Sequence, residues 1–204
     1  MTAPSAEIAS AGRVPWELAT AIQRMRGELY ERAEHTAELY ELIRREGLDR
    51  RTIEAHAGLL VACPVKFLPD RTFEMVDHGT SAAVIEAFDS DDCTVVDLVA
   101  WPFNKPDRFA TALGHAGGLG LARVRNPASF YGGRPLRVYR TPLAWLKAGC
   151  GGVVVLREES AFLWLSAALG DLAAEDLEHA RMLHRVLHPF FDPSRILVPK
   201  KRAA

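Results

Sequence analysis

The stretch LRVYRTPLAWLKAGCGGVVVLREES, residues 136–160, most narrows the folds open to this chain. It begins with alternating apolar and basic residues, the pattern of a strand with one covered face. Thr141 then offers a side-chain oxygen to a helix start, and Pro142 suits the first helical position, where its missing N–H has no intrahelical partner. Two turns later Gly149 stops the helix, and GVVVL (152–156) is short and apolar enough for a buried strand. Strand, short helix and strand in that order predict a parallel pair joined by a right-handed crossover. The expected fold class is α/β, with α+β as the alternative. It is a small mixed sheet with a β-hairpin and this one crossover, preceded by a long N-terminal helical arm.

At 204 residues and 49% hydrophobic content, most of the chain can bury a core. The expected organisation is a disordered start (1–14), a helical arm or hairpin (15–60), an α/β domain (61–198) and a basic tail (199–204). Pro15 reads as the first-turn proline of a helix running to about Glu46. Its apolar seam is Ile22, Met25, Leu29, Ala33, Thr36, Tyr40 and Ile43, alternating three- and four-residue steps that suit packing on another helix. The seam serves either the body of the protein or a homodimer. Gly47 ends the helix, and Asp49 caps a second, short one. Helix, glycine and helix also admit a DNA-reading hairpin with Arg50, Arg51, Glu54 and His56 outward, although ordinary helical hairpins share the pattern.

Beyond Pro64, VKFL and FEMV are short strands. AAVIEAF, DSDDC and TVVDLVAW form a β-hairpin with an acidic turn, unless the first arm is a helix capped by Thr80. NKPDRFATALGHA (104–116) reads as a helix that GGLG (117–120) ends, and residues 121–135 read as a loop or irregular hairpin. The glycines do not make a phosphate loop, because the helix precedes them and no Lys-Ser or Lys-Thr follows. AFLWLSAAL (161–169) reads as a buried helix capped by Ser160, DLAAEDLEHARMLHRVL (171–187) as an amphipathic helix, and RILVP (195–199) as a last edge strand. The buried sheet is expected to include Val95, Val96, Leu98, Val153, Val154 and Val155.

A net charge of −1 hides a strong segregation. Between 101 and 157 the acidic side chain is Asp107, set against Lys105, Arg108, Arg123, Arg125, Arg134, Arg137, Arg140, Lys147 and Arg157. Tyr131 and Tyr139 interleave with the arginines, and guanidinium groups with aromatic faces suit phosphates and bases. The expected function is a non-catalytic accessory or binding protein of bacterial type, contacting nucleic acid or another polyanion through Arg123, Arg125, Arg134, Arg137, Arg140 and Tyr131. In the bland reading the acidic hairpin neutralises this segment from within. The competing expectation is a small enzyme acting on a phosphorylated small molecule at the C-terminal rim of the sheet, with Trp101, Lys105, Thr141 and Arg157 as rim candidates.

No metalloprotease motif, nucleophile elbow or cysteine pair is present, so catalytic residues stay unassigned and no metal or cofactor is expected. His184 and His188 are four apart, but His184 shares a helix face with Leu177, Ala180 and Leu187 and is expected against the core. Glu86 and Asp97 flank the hairpin as a candidate carboxylate pair. Three separated cysteines, Cys63, Cys93 and Cys150, predict a reducing cytoplasm. No apolar run predicts a signal peptide or a membrane span.

Overall fold

The computed structural model describes residues 16–34, 36–187 and 192–198. Pro15, the expected disordered start, His188 and the expected basic tail lie outside them. The chain opens with α1 (Trp16–Arg32), α2 (Ala37–Glu46) and α3 (Arg50–Ala57). The expected single helix is therefore broken in two. Glu34 pairs with Ala62 as an antiparallel bridge, so Glu34, just after α1, serves as a sheet edge. Thr36 then restarts the helix, its hydroxyl accepting the Leu39 N–H. The break changes which side faces in: Leu39 and Leu42 are buried, while Tyr40 is 51% exposed. Gly47 closes α2 in the left-handed conformation and Asp49 caps α3, as expected.

The first sheet contains β1 (Val61–Phe67), β2 (Phe73–Met75), β3 (Thr80–Phe88), β4 (Val95–Pro102) and β5 (Ala110–Thr111), in the order β2-β1-β3-β4-β5. Its neighbours are antiparallel. The hairpin reading of β3 and β4 holds, and the helical alternative for β3 does not, because residues 82–87 are covered on both faces. One face carries Val61, Cys63, Val84 and Leu98 and is covered by Ile22, Met25 and Leu29 of α1. The seam that suited a partner helix is thus spent on the chain's own sheet. Arg26 fixes α1 there, donating to the buried Glu86 at 2.6 Å, with the Tyr30 hydroxyl 3.1 Å from the same oxygen.

The other face, through Ala83, Ile85, Val99 and Trp101, builds a central core with α2, α3 and the second sheet. That sheet contains β6 (Gly118–Leu119), β7 (Leu136–Tyr139), β8 (Val153–Val155), β9 (Leu172–Ala173) and β10 (Ile196–Leu197), in the order β10-β9-β7-β8-β6. β7 lies parallel to β8 and β9, and β9 parallel to β10. The crossover between β7 and β8 is α4 (Pro142–Lys147), capped by the Thr141 hydroxyl. Trp145 of α4 is buried and donates its indole N–H to the Gly152 carbonyl at 2.8 Å. A side chain at Gly152 would collide with the Arg137 carbonyl, so the glycines before β8 serve a close strand approach. The outer face of this sheet is covered by α5 (Glu158–Leu165) and α6 (Leu177–Leu187). Of the expected buried strand residues, Leu98, Val153, Val154 and Val155 are buried, and Val95 and Val96 half-buried.

Three local expectations fail for physical reasons. Residues 104–116 form turns and β5 rather than a helix, because the buried Asp97 carboxylate takes their backbone donors. Its oxygens accept the N–H groups of Leu98, Leu113, His115 and Ala116 at 2.7–3.1 Å. The following glycines therefore enter a strand: a Cβ on Gly118 would lie 2.6 Å from the Val154 carbonyl and 2.7 Å from the Trp164 ring. Ser160 lies inside α5 rather than at its cap, and Leu163 is exposed. The last long helix starts only at Leu177, because Leu172 and Ala173 join the sheet. Among the described residues no helix is long and apolar enough to cross a membrane.

Asp97 should therefore be a stability hot spot. Asp97→Asn turns one acceptor oxygen into a donor facing backbone N–H groups, and urea denaturation should show a loss of about 2–4 kcal/mol.

Candidate functional site

The inner face of the second sheet starts in the central core with Tyr139 and Val154. Toward β9 and β10 that cover ends. Arg137 is in register with Ala173, and Ala173 with Leu197, so these side chains share one face of the uncovered half of the sheet. The irregular segment before β7 walls this face. Asn126 caps its turn by accepting the Ala128 N–H, and Ala128, Ser129 and Arg134 follow along the edge. Arg123 arrives from the 3-10 turn Leu121–Arg123. The result is a groove of about 870 Å³ in which Arg123, Arg134 and Arg137 converge, with Glu175 as its acidic side chain.

None of these three arginines has a carboxylate within ion-pair distance among the described residues. Arg123 lies 3.3 Å from His56 Nε2, and His56 Nδ1 lies 3.9 Å from Asp92. That loose chain is the route by which the acidic turn approaches the basic segment. Asp91 is otherwise engaged, accepting the N–H groups of Cys93 and Thr94 and the Thr94 hydroxyl, which holds its carboxyl below the usual range. Among the described residues, Asp89, Asp91 and Asp92 form no ion pair with any of the arginines. Arg125 and Tyr131 are exposed on the same irregular segment but do not line the groove.

Arg140 does not join this group. It stands at the carboxyl end of β7, where the start of α6 brings carboxylates to meet it: Asp176 at 2.6 Å, Glu178 at 3.4 Å and Glu175 at 4.0 Å. The rim candidates also separate. Trp101 is fully buried in the central core, and Lys105 lies on the turn after β4. β4 belongs to the first sheet, so neither residue shares a rim with β7 and β8. Thr141 is occupied as the α4 cap, and Arg157 lies over Gly114, 3.5 Å from Glu159.

The expected carboxylate pair does not form. Asp97 sits opposite Ala87 and Glu86 opposite Leu98, so the two carboxylates point to opposite faces of the hairpin. Burial pushes the Cys63 thiol up to about 11 and the Cys150 thiol up to about 12, so both are protonated packing groups. Among the described residues no three His, Cys, Asp or Glu side chains cluster as metal ligands would.

One functional-looking residue escaped the sequence reading. His179, not His184, is the buried histidine of α6, at 1% exposure. The four-residue spacing of His179, Leu183 and Leu187 marks that face, and Leu177 and His184 both lie off it, exposed. His179 Nδ1 accepts the Glu175 N–H at 3.2 Å, which leaves the ring proton on Nε2, and buried Nε2 has no partner among the described residues. Burial pushes the imidazole pKa down to about 4, the positive charge of Arg140 adds to the shift, and Asp176 opposes it.

No protein-family model, curated protein or solved structure matches this chain.

His179 carries a pH signature. The unfolded chain takes up a proton near pH 6.5, whereas folded His179 resists protonation down to about 4. Between those values the unfolded state binds more protons, so stability falls as pH is lowered through the window, by on the order of 2–3 kcal/mol. Urea midpoints should drop across it for the native chain, and His179→Gln should flatten that part of the profile.

Proposed function

We propose that this protein is a non-catalytic binding protein that holds single-stranded nucleic acid in the groove on its second sheet. The observation that carries the reading is the convergence of Arg123, Arg134 and Arg137 on one 870 Å³ groove with no carboxylate partner among the described residues. Guanidinium groups without a carboxylate partner are available for bidentate contacts to phosphate oxygens. An open sheet face is a surface on which a single strand can lie with its bases against side chains. Tyr131, 80% exposed on the segment that walls the groove, offers an aromatic ring on which a base can stack. Arg125, exposed nearby, extends the positive edge.

The free, unbridged thiols of Cys63, Cys93 and Cys150 suit a reducing compartment such as a bacterial cytoplasm. A homodimer through α1 forms no part of the proposal, since Ile22, Met25 and Leu29 cover the chain's own sheet.

Fluorescence anisotropy with a labelled single-stranded oligonucleotide, read across a salt series, tests the reading. Affinity should fall steeply with salt, because each neutralised phosphate releases counterions. Replacing Arg123, Arg134 and Arg137 with alanine should weaken binding by at least about tenfold and flatten the slope by roughly 0.7 for each phosphate no longer neutralised. Tyr131→Ala should cost about 1–3 kcal/mol of affinity if it stacks a base. Arg140→Ala should leave the salt slope unchanged, since that guanidinium is engaged by Asp176 and Glu178. Absence of binding at low salt, or a triple variant that binds like the native chain, overturns the proposal.

A further inference from the structure

A second cavity, of about 490 Å³, opens beyond the carboxyl ends of β7 and β8. In parallel α/β sheets this is where ligands sit, because the strand ends and the helix starts that follow them leave a crevice there. Tyr139 and Arg140 come from one strand end, and Val155, Leu156 and Glu158 from the other. α6 closes the far side with His179, Arg181, Met182 and Arg185. The first sheet adds a wall that sequence spacing does not reveal, Phe109 with the Arg71 guanidinium 5.7 Å from its ring centroid.

The charges in this crevice are unequally engaged. Arg140 is held by Asp176 and Glu178, and Arg185 lies 3.6 Å from Glu158. Arg71 and Arg181 have no carboxylate partner among the described residues. Arg71 is also held in a left-handed backbone conformation, φ 64°, which a glycine adopts more cheaply. Backbone hydrogen bonds to Leu68 and from Thr111 keep it there. Strain of this kind persists where the surroundings over-determine it, as they do at ligand clamps. Independently, His179 is buried, lines the crevice and has a ring N–H with no partner among the described residues. An orphaned buried donor costs free energy unless something accepts from it.

The geometry points to a small-molecule site in this crevice, separate from the nucleic-acid groove, for a ligand that carries a phosphate or carboxylate group on an apolar body. Arg71 and Arg181 meet the oxyanion. His179 Nε2–H supplies a neutral donor, and Phe109, Val155, Leu156 and Met182 contact the body of the ligand. The volume suits a metabolite-sized molecule. Tyr139 borders both cavities, but their arginines differ.

Phenyl phosphate, benzoate and inorganic phosphate serve as probes, titrated by calorimetry and by nitrogen NMR of histidine-labelled protein. Phenyl phosphate or benzoate should bind more tightly than inorganic phosphate and shift the His179 ring signals; the tighter of the two identifies the anionic group. Arg181→Ala, on an exposed helical position, and Arg71→Gly, which relieves the backbone strain, should each weaken binding by about tenfold while the protein stays folded. The groove variant lacking Arg123, Arg134 and Arg137 should bind the probe like the native chain, and Arg181→Ala should bind the oligonucleotide like the native chain. The proposal is overturned if millimolar phenyl phosphate and benzoate leave the His179 ring signals unmoved, or if Arg181→Ala and Arg71→Gly bind them undiminished.

Discussion

Four backbone N–H groups converge on the buried carboxylate of Asp97 in β4, and the rest of the architecture depends on that convergence. A carboxylate removed from water demands acceptor–donor pairing on both oxygens. The nearest supply is the backbone just after β5, at Leu113, His115 and Ala116. Committing those donors forbids a helix there and bends the chain out of the first sheet toward Gly118. From that point β6 enters the second sheet beside β8, and the inner faces of the two sheets close on one core containing Trp101, Leu119, Trp145 and Val154.

That packing also decides what becomes of the basic segment. β7 passes from an uncovered half of its sheet to a crowded carboxyl end. Arg137 therefore faces a groove, whereas Arg140, three residues later, meets three carboxylates from Glu175 to Glu178. The same end collects Arg71, Arg181 and the buried His179 from elements far apart in sequence. Two arginine-lined cavities thus form, one on the uncovered half of the sheet with Arg123, Arg134 and Arg137, and one at the strand ends with Arg71, Arg181 and the buried His179.

Much of the architecture was legible because it rests on local chemistry. The Thr141 cap with Pro142, the Gly149 stop and the parallel pair flanking α4 follow from backbone donors and acceptors within a few residues of one another. The β3–β4 hairpin and the Asp49 cap are local in the same sense. The failures share a different cause. The helix expected over 104–116 has acceptable local propensity, and a side chain in another strand overrides it. The α1–α2 break depends on a pairing between Glu34 and Ala62, which no periodicity within the helix announces. His184 reads as core-facing only if Leu177 is taken as an inward residue, but Leu177 is exposed, and the buried face runs through His179, Ala180, Leu183 and Leu187.

The sequence by itself determined the α/β class, the crossover, the hairpin and the concentration of arginine between residues 101 and 157. Those follow from alternation, capping and composition, which act over short stretches. Tertiary structure alone decided that β4 and β8 belong to different sheets, and so that Trp101 and Lys105 share no rim with Arg157. It alone decided that Arg123, Arg134 and Arg137 line one groove while Arg140 is neutralised, and that Arg71 and His179 line one cavity. Those outcomes turn on which buried groups find partners across the core, and a carboxylate or guanidinium interacts over a few ångströms of space regardless of its distance along the chain.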